Sequence, residues 1–188
     1  MLYRNRKKFS GIQNRIGLIF SKAPLTPNQW TIASLGLAAG MFLLIFLNLL
    51  LPAFLLSLFV IFIDMVDGAV ARATNRTTVF GAFLDTIIDR MIEFLFILGF
   101  YIIFNNIIAL ILLFCSMMIT YIKAAAFEKG LIKLESKGGG LLEHTERLFI
   151  FSFIILISYF SLEIAFYVIL ITIFLLIITF FQRLLTLL

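Results

Sequence analysis

Residues 64–93 read DMVDGAVARATNRTTVFGAFLDTIIDRMIE, a stretch that places several charges inside otherwise apolar segments. Its aspartates are Asp64, Asp67, Asp85 and Asp89. The first two stand at i and i+3 and the last two at i and i+4, so each pair lies on one face of a helix. A short turn at residues 73–77 joins the two helices and predicts that they run antiparallel. We therefore expect the four carboxylates to point into one shared space between the helices.

Small residues accompany the carboxylates on both faces. Gly68 and Ala71 follow on the first face, and Thr78 and Gly81 begin the second. Residues with little or no side chain let another backbone, or a ligand, approach closely. This pattern predicts that the space between the two helices admits a ligand.

The composition is that of a membrane protein. Of the 188 residues, 63% are apolar and 13% are charged, against roughly 45–50% and about 25% in soluble domains. A soluble core of this size could not bury so many apolar side chains, 23 Phe among them, so lipid must cover part of the surface. The net charge is +5. Its cations cluster on one side of the apolar segments, which suits an anionic membrane surface or a phosphorylated substrate and not nucleic acid.

Six apolar segments of about 20 residues are each long enough to cross roughly 30 Å of hydrocarbon. They lie near residues 29–48, 51–72, 78–103, 106–127, 141–160 and 163–184. Within residues 1–25, apolar residues at helical spacing among several cations predict an amphipathic helix in the membrane interface. The expected fold class is an all-α membrane protein. We predict a single domain over residues 1–188, with a bundle of six transmembrane helices over residues 29–184 after the interfacial helix.

The connections between these segments alternate in charge. The short ones, at residues 48–52, 104–107 and 160–163, contain no Lys or Arg. The opposite side carries the cations of the N-terminal stretch, of the turn near Arg76 and of the loop over residues 128–140. The positive-inside rule therefore predicts a multi-pass protein of the cell membrane, with both termini and the aspartate site facing the cytoplasm.

The carboxylates predict a site for hard divalent cations. A charged side chain within a membrane span costs about 2.5–3.5 kcal/mol, so something must compensate four of them. Carboxylates at close range cannot all stay ionised without cations. Oxygen ligands favour Mg²⁺ first and Mn²⁺ next, and the single His144 and single Cys115 form no cluster of soft ligands for zinc. Two ions sharing the carboxylates could clamp a pyrophosphate and stabilise its displacement.

Other roles for the aspartates are open at this point. A buried salt network would pair them with Arg72, Arg76 and Arg90. A cation transporter would use them as an ion path, although the non-cytoplasmic halves of the spans are nearly pure Leu, Ile and Phe. A scaffold protein would give no reason for four carboxylates inside the membrane. Arg90 and Glu93 either pair with each other at i, i+3 or shape a substrate pocket.

The fixed positions of the stretch resemble a known signature. Written out, they are Asp64-x-x-Asp67-Gly68-x-x-Ala71-Arg72, eight further residues, and Gly81-x-x-x-Asp85-x-x-x-Asp89. The pattern is similar to the signature of the CDP-alcohol phosphotransferases, and every fixed position of that signature is filled. Pro27–Thr31 resembles the Pro-Asn-x-x-Thr start of the first span in that family. The length and the six expected spans also fit, so the resemblance covers the whole chain.

The resemblance implies roles for individual residues. Asp64, Asp67 and Asp85 would bind two divalent metal ions, and Asp89 would touch the second ion and act as base on the acceptor hydroxyl. The residues implied around the CDP moiety are Pro27, Asn28, Gln29, Trp30, Gly68, Ala71, Arg72, Thr78 and Gly81. The implied reaction, in phospholipid biosynthesis, moves a phosphatidyl-type group from CDP-diacylglycerol or CDP-archaeol to an alcohol and releases CMP. Family members are commonly homodimers, so a homodimer is implied as well.

Two later stretches resemble the subgroup that makes inositol-phosphate lipids. They are Thr120-Tyr121-Ile122-Lys123-Ala124 and residues 140–147. Ala125 and His144 stand where that subgroup often has Arg. Lys123, Arg147 and Arg183 are the cations that could hold a phosphorylated acceptor such as inositol phosphate. Glycerol phosphate and serine are alternative acceptors, and transfer from CDP-inositol to inositol phosphate is an alternative reaction.

Overall fold

The computed structural model describes residue 11, residues 15–131 and residues 141–186, and every regular element within them is helical. The helices are α1 (Pro27–Phe46), α2 (Leu50–Ala73), α3 (Val79–Phe104), α4 (Ile108–Glu128), α5 (His144–Phe160) and α6 (Leu162–Leu185). Each matches one predicted apolar segment to within a few residues, so the all-α fold is confirmed. Residues 15–20 are also helical. Most of the predicted interfacial helix before residue 15 lies outside the described residues.

Four of these helices, α1, α2, α4 and α6, are long and apolar enough to cross a membrane. Of the other two, α5 has 17 residues, the lower end of the length that a span needs. α3 has 26 residues, but it contains two aspartates, an arginine and a glutamate, and charged residues are rare in a membrane span. Large apolar side chains such as Phe46, Phe114 and Phe174 are exposed, where lipid can cover them. The chain is a multi-pass membrane protein.

The chain divides into two compact units, one up to Phe96 and one from Ile97. The first unit contains α1, α2 and most of α3. α1 and α2 pack closely against each other. The side chains of these two helices that are fully buried include Ala38, Met41, Ala53, Val60 and Val66. Because small residues recur among them, the two helix backbones can approach closely.

The helical segment at residues 15–20 packs against α2. Gly17 is buried there, and a Cβ on it would lie 2.4 Å from the carbonyl oxygen of Ala69. Phe20 makes edge contacts with the rings of Trp30 and Phe62, with centroids 5.7 and 5.6 Å away. Because Gly17 has no side chain, this segment can lie directly against the backbone of α2.

The start of α1 is fixed by a reciprocal cap. The Thr26 hydroxyl accepts from the backbone N–H of Gln29 at 3.4 Å, and the Gln29 side-chain oxygen accepts from the N–H of Thr26 at 2.8 Å. Pro27 occupies the first turn, where its missing N–H costs nothing. This capping box holds Pro27 and Asn28 in a defined place at the head of the helix.

The turn between α2 and α3 is closed by backbone hydrogen bonds. The N–H of Arg76 donates to the carbonyl of Ala71 at 2.9 Å. Asn75 has a φ of 53°, a left-handed conformation that Asn tolerates better than most residues. At the start of α3, the Thr78 hydroxyl accepts from the N–H of Gly81 at 2.9 Å, as an N-cap does. The turn thus brings the end of α2 and the start of α3 to the same place.

The second unit contains the end of α3 together with α4, α5 and α6. α6 packs against both α4 and α5. Ser161 separates α5 from α6 and caps the latter by accepting from the N–H of Ile164 at 3.3 Å. Phe100 and Phe151 pack edge to face, with ring centroids 5.6 Å apart. These contacts give the second unit an apolar core of its own.

We predict that Gly17→Ala lowers the stability of the protein. The new Cβ would overlap the Ala69 carbonyl oxygen, and relieving such overpacking costs about 1–3 kcal/mol. Gly36→Ala is the matched control, because nothing lies within 4 Å of a Cβ at that helical position. Thermal unfolding in detergent should show a lower melting temperature for the first variant and an unchanged or slightly higher one for the second. Equal melting temperatures would contradict the close approach at Gly17.

Candidate metal and nucleotide site

Three of the four aspartates meet in the first unit. Asp64 and Asp67 on α2 and Asp85 on α3 each offer a carboxylate oxygen, and these atoms lie within 4.8 Å of one another. Asp64 and Asp89 also offer oxygens within 4.8 Å of each other. Asp64 therefore joins all four carboxylates into one cluster, as the helical spacing predicts.

The cluster includes oxygen atoms that lack hydrogen-bond donors. Asp67 is 4% exposed. Asp64 Oδ1 and Asp67 Oδ2 are buried, and neither has a hydrogen-bond partner within the described part of the chain. A buried carboxylate oxygen left in this state is costly, because it has lost water without a replacement. Such oxygens are ligands for hard divalent cations, so these residues fit Mg²⁺ or Mn²⁺.

A cavity of about 160 Å³ opens beside the cluster. Its lining comes from the start of α1, the end of α2, the turn and the start of α3: Pro27, Asn28, Thr31, Asp67, Gly68, Ala71, Arg72, Arg76, Thr77, Thr78, Gly81, Ala82 and Asp85. Pockets that enclose a whole small-molecule ligand measure roughly 300–1,000 Å³. This cavity can therefore hold the polar head of a ligand and leave the remainder outside.

The electrostatics of the cavity favour a phosphate group. The first turns of both α1 and α3 line it, and the positive end of a helix dipole attracts anions. Arg72 and Arg76 add two guanidinium groups to the same lining. Arg72 also interacts electrostatically with Asp85. Cations that suit phosphate and carboxylates that suit metal thus line the same cavity.

The two glycines of the lining keep this cavity open. A Cβ on Gly81 would lie 3.0 Å from the Thr78 hydroxyl and 3.1 Å from the Asn28 side-chain oxygen. A Cβ on Gly68 would lie 3.2 Å from an Arg72 guanidinium nitrogen. Larger residues at these positions would push against side chains that line the cavity. The close neighbours at both positions thus explain why glycine, and not a larger residue, stands there.

The structure places most, but not all, of the predicted CDP-binding residues at the cavity. Pro27, Asn28, Gly68, Ala71, Arg72, Thr78 and Gly81 line it. Gln29 and Trp30 are absent from the lining. Gln29 belongs to the capping box, and the Trp30 ring contacts Phe20. These two residues shape the start of α1, and their roles toward CDP stay predictions.

The sequence reasoning missed three lining residues, which are Arg76, Thr77 and Ala82. Thr31, the last residue of the Pro27–Thr31 motif, also lines the cavity. It is buried and lies beside the Asp67 carboxylate. Arg76 and Thr77 lie in the turn, where no helical periodicity indicates the direction in which a side chain points.

Asp89 has a second set of neighbours on its own helix. Arg90 Nη2 lies 3.7 Å from Asp89 Oδ2, and Arg90 Nη1 forms an ion pair with Glu93. Glu93 is 0% exposed. The predicted i, i+3 pair between Arg90 and Glu93 is therefore present, and it extends to Asp89.

Two of the predicted acceptor cations lie in the second unit and hold the start of α5. Arg147 is 1% exposed and donates to the carbonyl of Leu142 at 3.4 Å. Arg183 donates to the carbonyl of Ile119 at 2.7 Å and lies 3.6 Å from Glu143. Both guanidinium groups thus have internal partners in addition to any substrate.

Lys123, the third predicted acceptor cation, is exposed on α4. It lies one helical turn beyond Ile119, the residue whose carbonyl binds Arg183. The structure therefore brings Lys123 and Arg183 to the same level of α4. Their role toward an acceptor stays a prediction.

Comparison with known proteins extends this description. A family model described as CDP-alcohol phosphatidyltransferase matches residues 24–181. The phosphatidylinositol phosphate synthase of Corynebacterium glutamicum is 33% identical over 156 residues, which cover 77% of this chain and 69% of that protein. The archaetidylinositol phosphate synthase of Aeropyrum pernix is 31% identical over 152 residues, covering 80% and 76%.

Solved structures of the Mycobacterium tuberculosis phosphatidylinositol phosphate synthase are also similar. The structure with CDP-DAG bound has a TM-score of 0.78 and 32% identity, and the match covers 94% of this chain and 93% of that chain. The structure of that enzyme with manganese and citrate has a TM-score of 0.77 and 31% identity, over 93% and 88%. The likeness thus extends across nearly the whole length of both chains.

We predict that Asp67→Asn weakens binding of Mn²⁺ at least tenfold, or about 1.4 kcal/mol. The amide keeps the size of the side chain but removes a charged oxygen ligand from the cluster. Mn²⁺ titration of the purified protein, followed by electron paramagnetic resonance, measures the affinity for the ion alone. Glu128→Gln is the control, because that carboxylate is 75% exposed and pairs only loosely with Lys129. An Asp67→Asn protein that binds Mn²⁺ as tightly as the control would show that the cluster is not the metal site.

Proposed function

The chain belongs to the CDP-alcohol phosphatidyltransferase family, and we propose that it transfers a phosphatidyl-type group from a CDP-linked lipid to inositol phosphate, releasing CMP. The main observation behind this proposal is that the four-carboxylate cluster lies next to a cavity that favours phosphate. The similarity to phosphatidylinositol and archaetidylinositol phosphate synthases over most of the chain supports the acceptor.

The donor would place its diphosphate in the cavity between the carboxylates and the two arginines. Asn28, Thr78 and Gly81 would surround the CDP moiety, and Arg72 would meet its phosphate. The cavity is too small for the whole donor, so the lipid chains would remain outside among the exposed apolar side chains. CDP-diacylglycerol and CDP-archaeol share this head group, and both suit the site as described.

The four aspartates would hold divalent metal, with Mg²⁺ first and Mn²⁺ as the alternative, and we propose two ions. Asp64 Oδ1 and Asp67 Oδ2, which have no hydrogen-bond partner among the described residues, would be among the ligands. When bound, such ions offset the negative charge of the diphosphate and of the leaving CMP.

Asp89 would act as the general base. Its carboxylate would accept the proton of the acceptor hydroxyl, whose oxygen then attacks the phosphorus that carries the lipid. The P–O bond to CMP breaks, and its electron pair leaves with the CMP phosphate. Arg72 and Arg76 would stabilise that developing charge, since both guanidinium groups line the cavity.

The acceptor would be held through its own phosphate by Lys123, Arg147 and Arg183. A phosphorylated acceptor explains why cations are placed on these helices in a membrane protein. Glycerol phosphate is the alternative with similar chemistry, and serine or CDP-inositol transfer are the others. A cation transporter would also need carboxylates, but it would give no reason for the arginine-lined cavity.

For the arrangement in the membrane, we propose six spans over residues 29–184 within a single domain over residues 1–188, preceded by an interfacial helix in residues 1–25. The cation-rich connections would face the cytoplasm together with both termini and the aspartate site. The protein would reside in the cell membrane as a homodimer.

The reaction is tested with purified protein, Mg²⁺, either CDP-lipid and a panel of acceptors, by measuring CMP release. We expect inositol phosphate to give the fastest release, ahead of glycerol phosphate, serine and the CDP-inositol pair. The phosphate-binding cations provide the physical reason, since serine lacks the group that they would hold. A preference for serine would refute the acceptor, and no CMP release with any acceptor would refute the reaction.

We predict that Asp89→Asn lowers kcat by about 10²–10⁴-fold, the usual contribution of a general base. Binding of CDP, measured by calorimetry, should change little, because Asp89 is absent from the cavity lining. Glu128→Gln again serves as the exposed carboxylate control and should keep full turnover. Undiminished kcat in Asp89→Asn would exclude its role as base.

A further inference from the structure

One buried acidic residue of the first unit has no place in the mechanism above. Glu93 lies on α3 and is 0% exposed, although no signature position includes it. A carboxylate in such surroundings needs a partner, because it has lost its hydration. Arg90 supplies that partner through Nη1. The pair is therefore a built feature of α3 and not a solvated surface pair.

The other amino group of the same guanidinium is directed at the base. Arg90 Nη2 lies 3.7 Å from Asp89 Oδ2, so one side chain stands between the two carboxylates and uses a different nitrogen for each. The guanidinium group is planar and rigid. Fixing one of its amino groups on Glu93 therefore fixes where the other is presented to Asp89.

Asp89 needs such a support. Its carboxylate lies close to that of Asp64, and like charges at this range repel each other. Side chains that must act on a substrate also need to be held in a narrow range of orientations. A cation anchored one residue away offsets the repulsion and limits the rotamers of Asp89.

We propose that Arg90 and Glu93 are positioning residues for the reaction: Glu93 anchors Arg90, and Arg90 holds Asp89 in the orientation in which it receives the proton of the acceptor alcohol. This inference rests on the proposed function, because it assumes that Asp89 is the base. Neither residue touches the donor in this scheme, and neither lines the cavity.

The scheme makes a geometric distinction between cations at position 90. A lysine would keep the charge and could pair with Glu93, but its donors share one compact nitrogen and do not sit on two nitrogens held at a fixed spacing, as in a guanidinium group. Arg90→Lys should therefore lower kcat by about 10- to 100-fold, as expected when a reacting group is misplaced by about 1 Å. The KM for the CDP-lipid should stay within about threefold of the wild-type value, because the residues that line the cavity are untouched.

Glu93→Gln tests the anchor itself, since it preserves the size of the side chain and removes its charge. A buried arginine that loses its partner can destabilise the fold, so a double variant, Arg90→Gln together with Glu93→Gln, accompanies it. The double variant removes the positive and the negative charge of the Arg90–Glu93 pair together and should melt near the wild-type temperature. Its kcat should nevertheless stay at least tenfold low, because Arg90 no longer holds Asp89.

The experiment measures kcat, both KM values and melting temperature for wild type, Arg90→Lys, Glu93→Gln, the double variant and the exposed control Glu128→Gln. Low kcat with an unchanged KM for the CDP-lipid in both position-90 variants supports the proposal. Wild-type kcat in Arg90→Lys, or in a folded double variant, overturns it and leaves the proposed function intact. A wild-type protein that releases no CMP overturns the proposed function, and the positioning role with it.

Discussion

Repulsion among carboxylates is the constraint around which the first unit is organised. α2 and α3 bring Asp64, Asp67 and Asp85 within 4.8 Å of one another, and two of the oxygens are buried without a hydrogen-bond partner among the described residues. Such a cluster is costly in a membrane protein unless cations enter it. The negative charge of the cluster therefore favours binding of a divalent ion and interaction with the nearby arginines. Folding and metal affinity are linked through this cluster, because the helices must meet before the ligands converge.

The cavity next to the cluster depends on residues whose role is structural and not catalytic. The capping box of Thr26 and Gln29 fixes the head of α1, and the left-handed Asn75 reverses the chain before α3. Together they aim two helix N-termini at one space, where backbone N–H groups attract phosphate. Asp89, the proposed base, instead contacts residues of its own helix, Arg90 directly and Glu93 through Arg90. The cavity and Asp89 therefore have separate structural supports.

The three cations of the second unit that are predicted to bind the acceptor have different surroundings. Arg147 and Arg183 bind backbone carbonyls and secure the start of α5, whereas Lys123 is exposed. A guanidinium group has several donors, so an internal hydrogen bond leaves others for a ligand. The flexible side chain of the exposed Lys123 can instead move along the surface. The two arginines thus stabilise their unit and keep donors for the proposed acceptor.

The sequence by itself determined the helices, the carboxylate cluster and most of the cavity. Helical spacing puts Asp64 and Asp67 on one face. A turn of only a few residues makes the next helix run antiparallel to the first. Tertiary structure alone decided that Arg76 and Thr77 line the cavity and that Trp30 instead contacts Phe20. Periodicity gives the face on which a residue lies but not the rotation of that helix against its neighbours. Packing of side chains far apart in sequence sets that rotation.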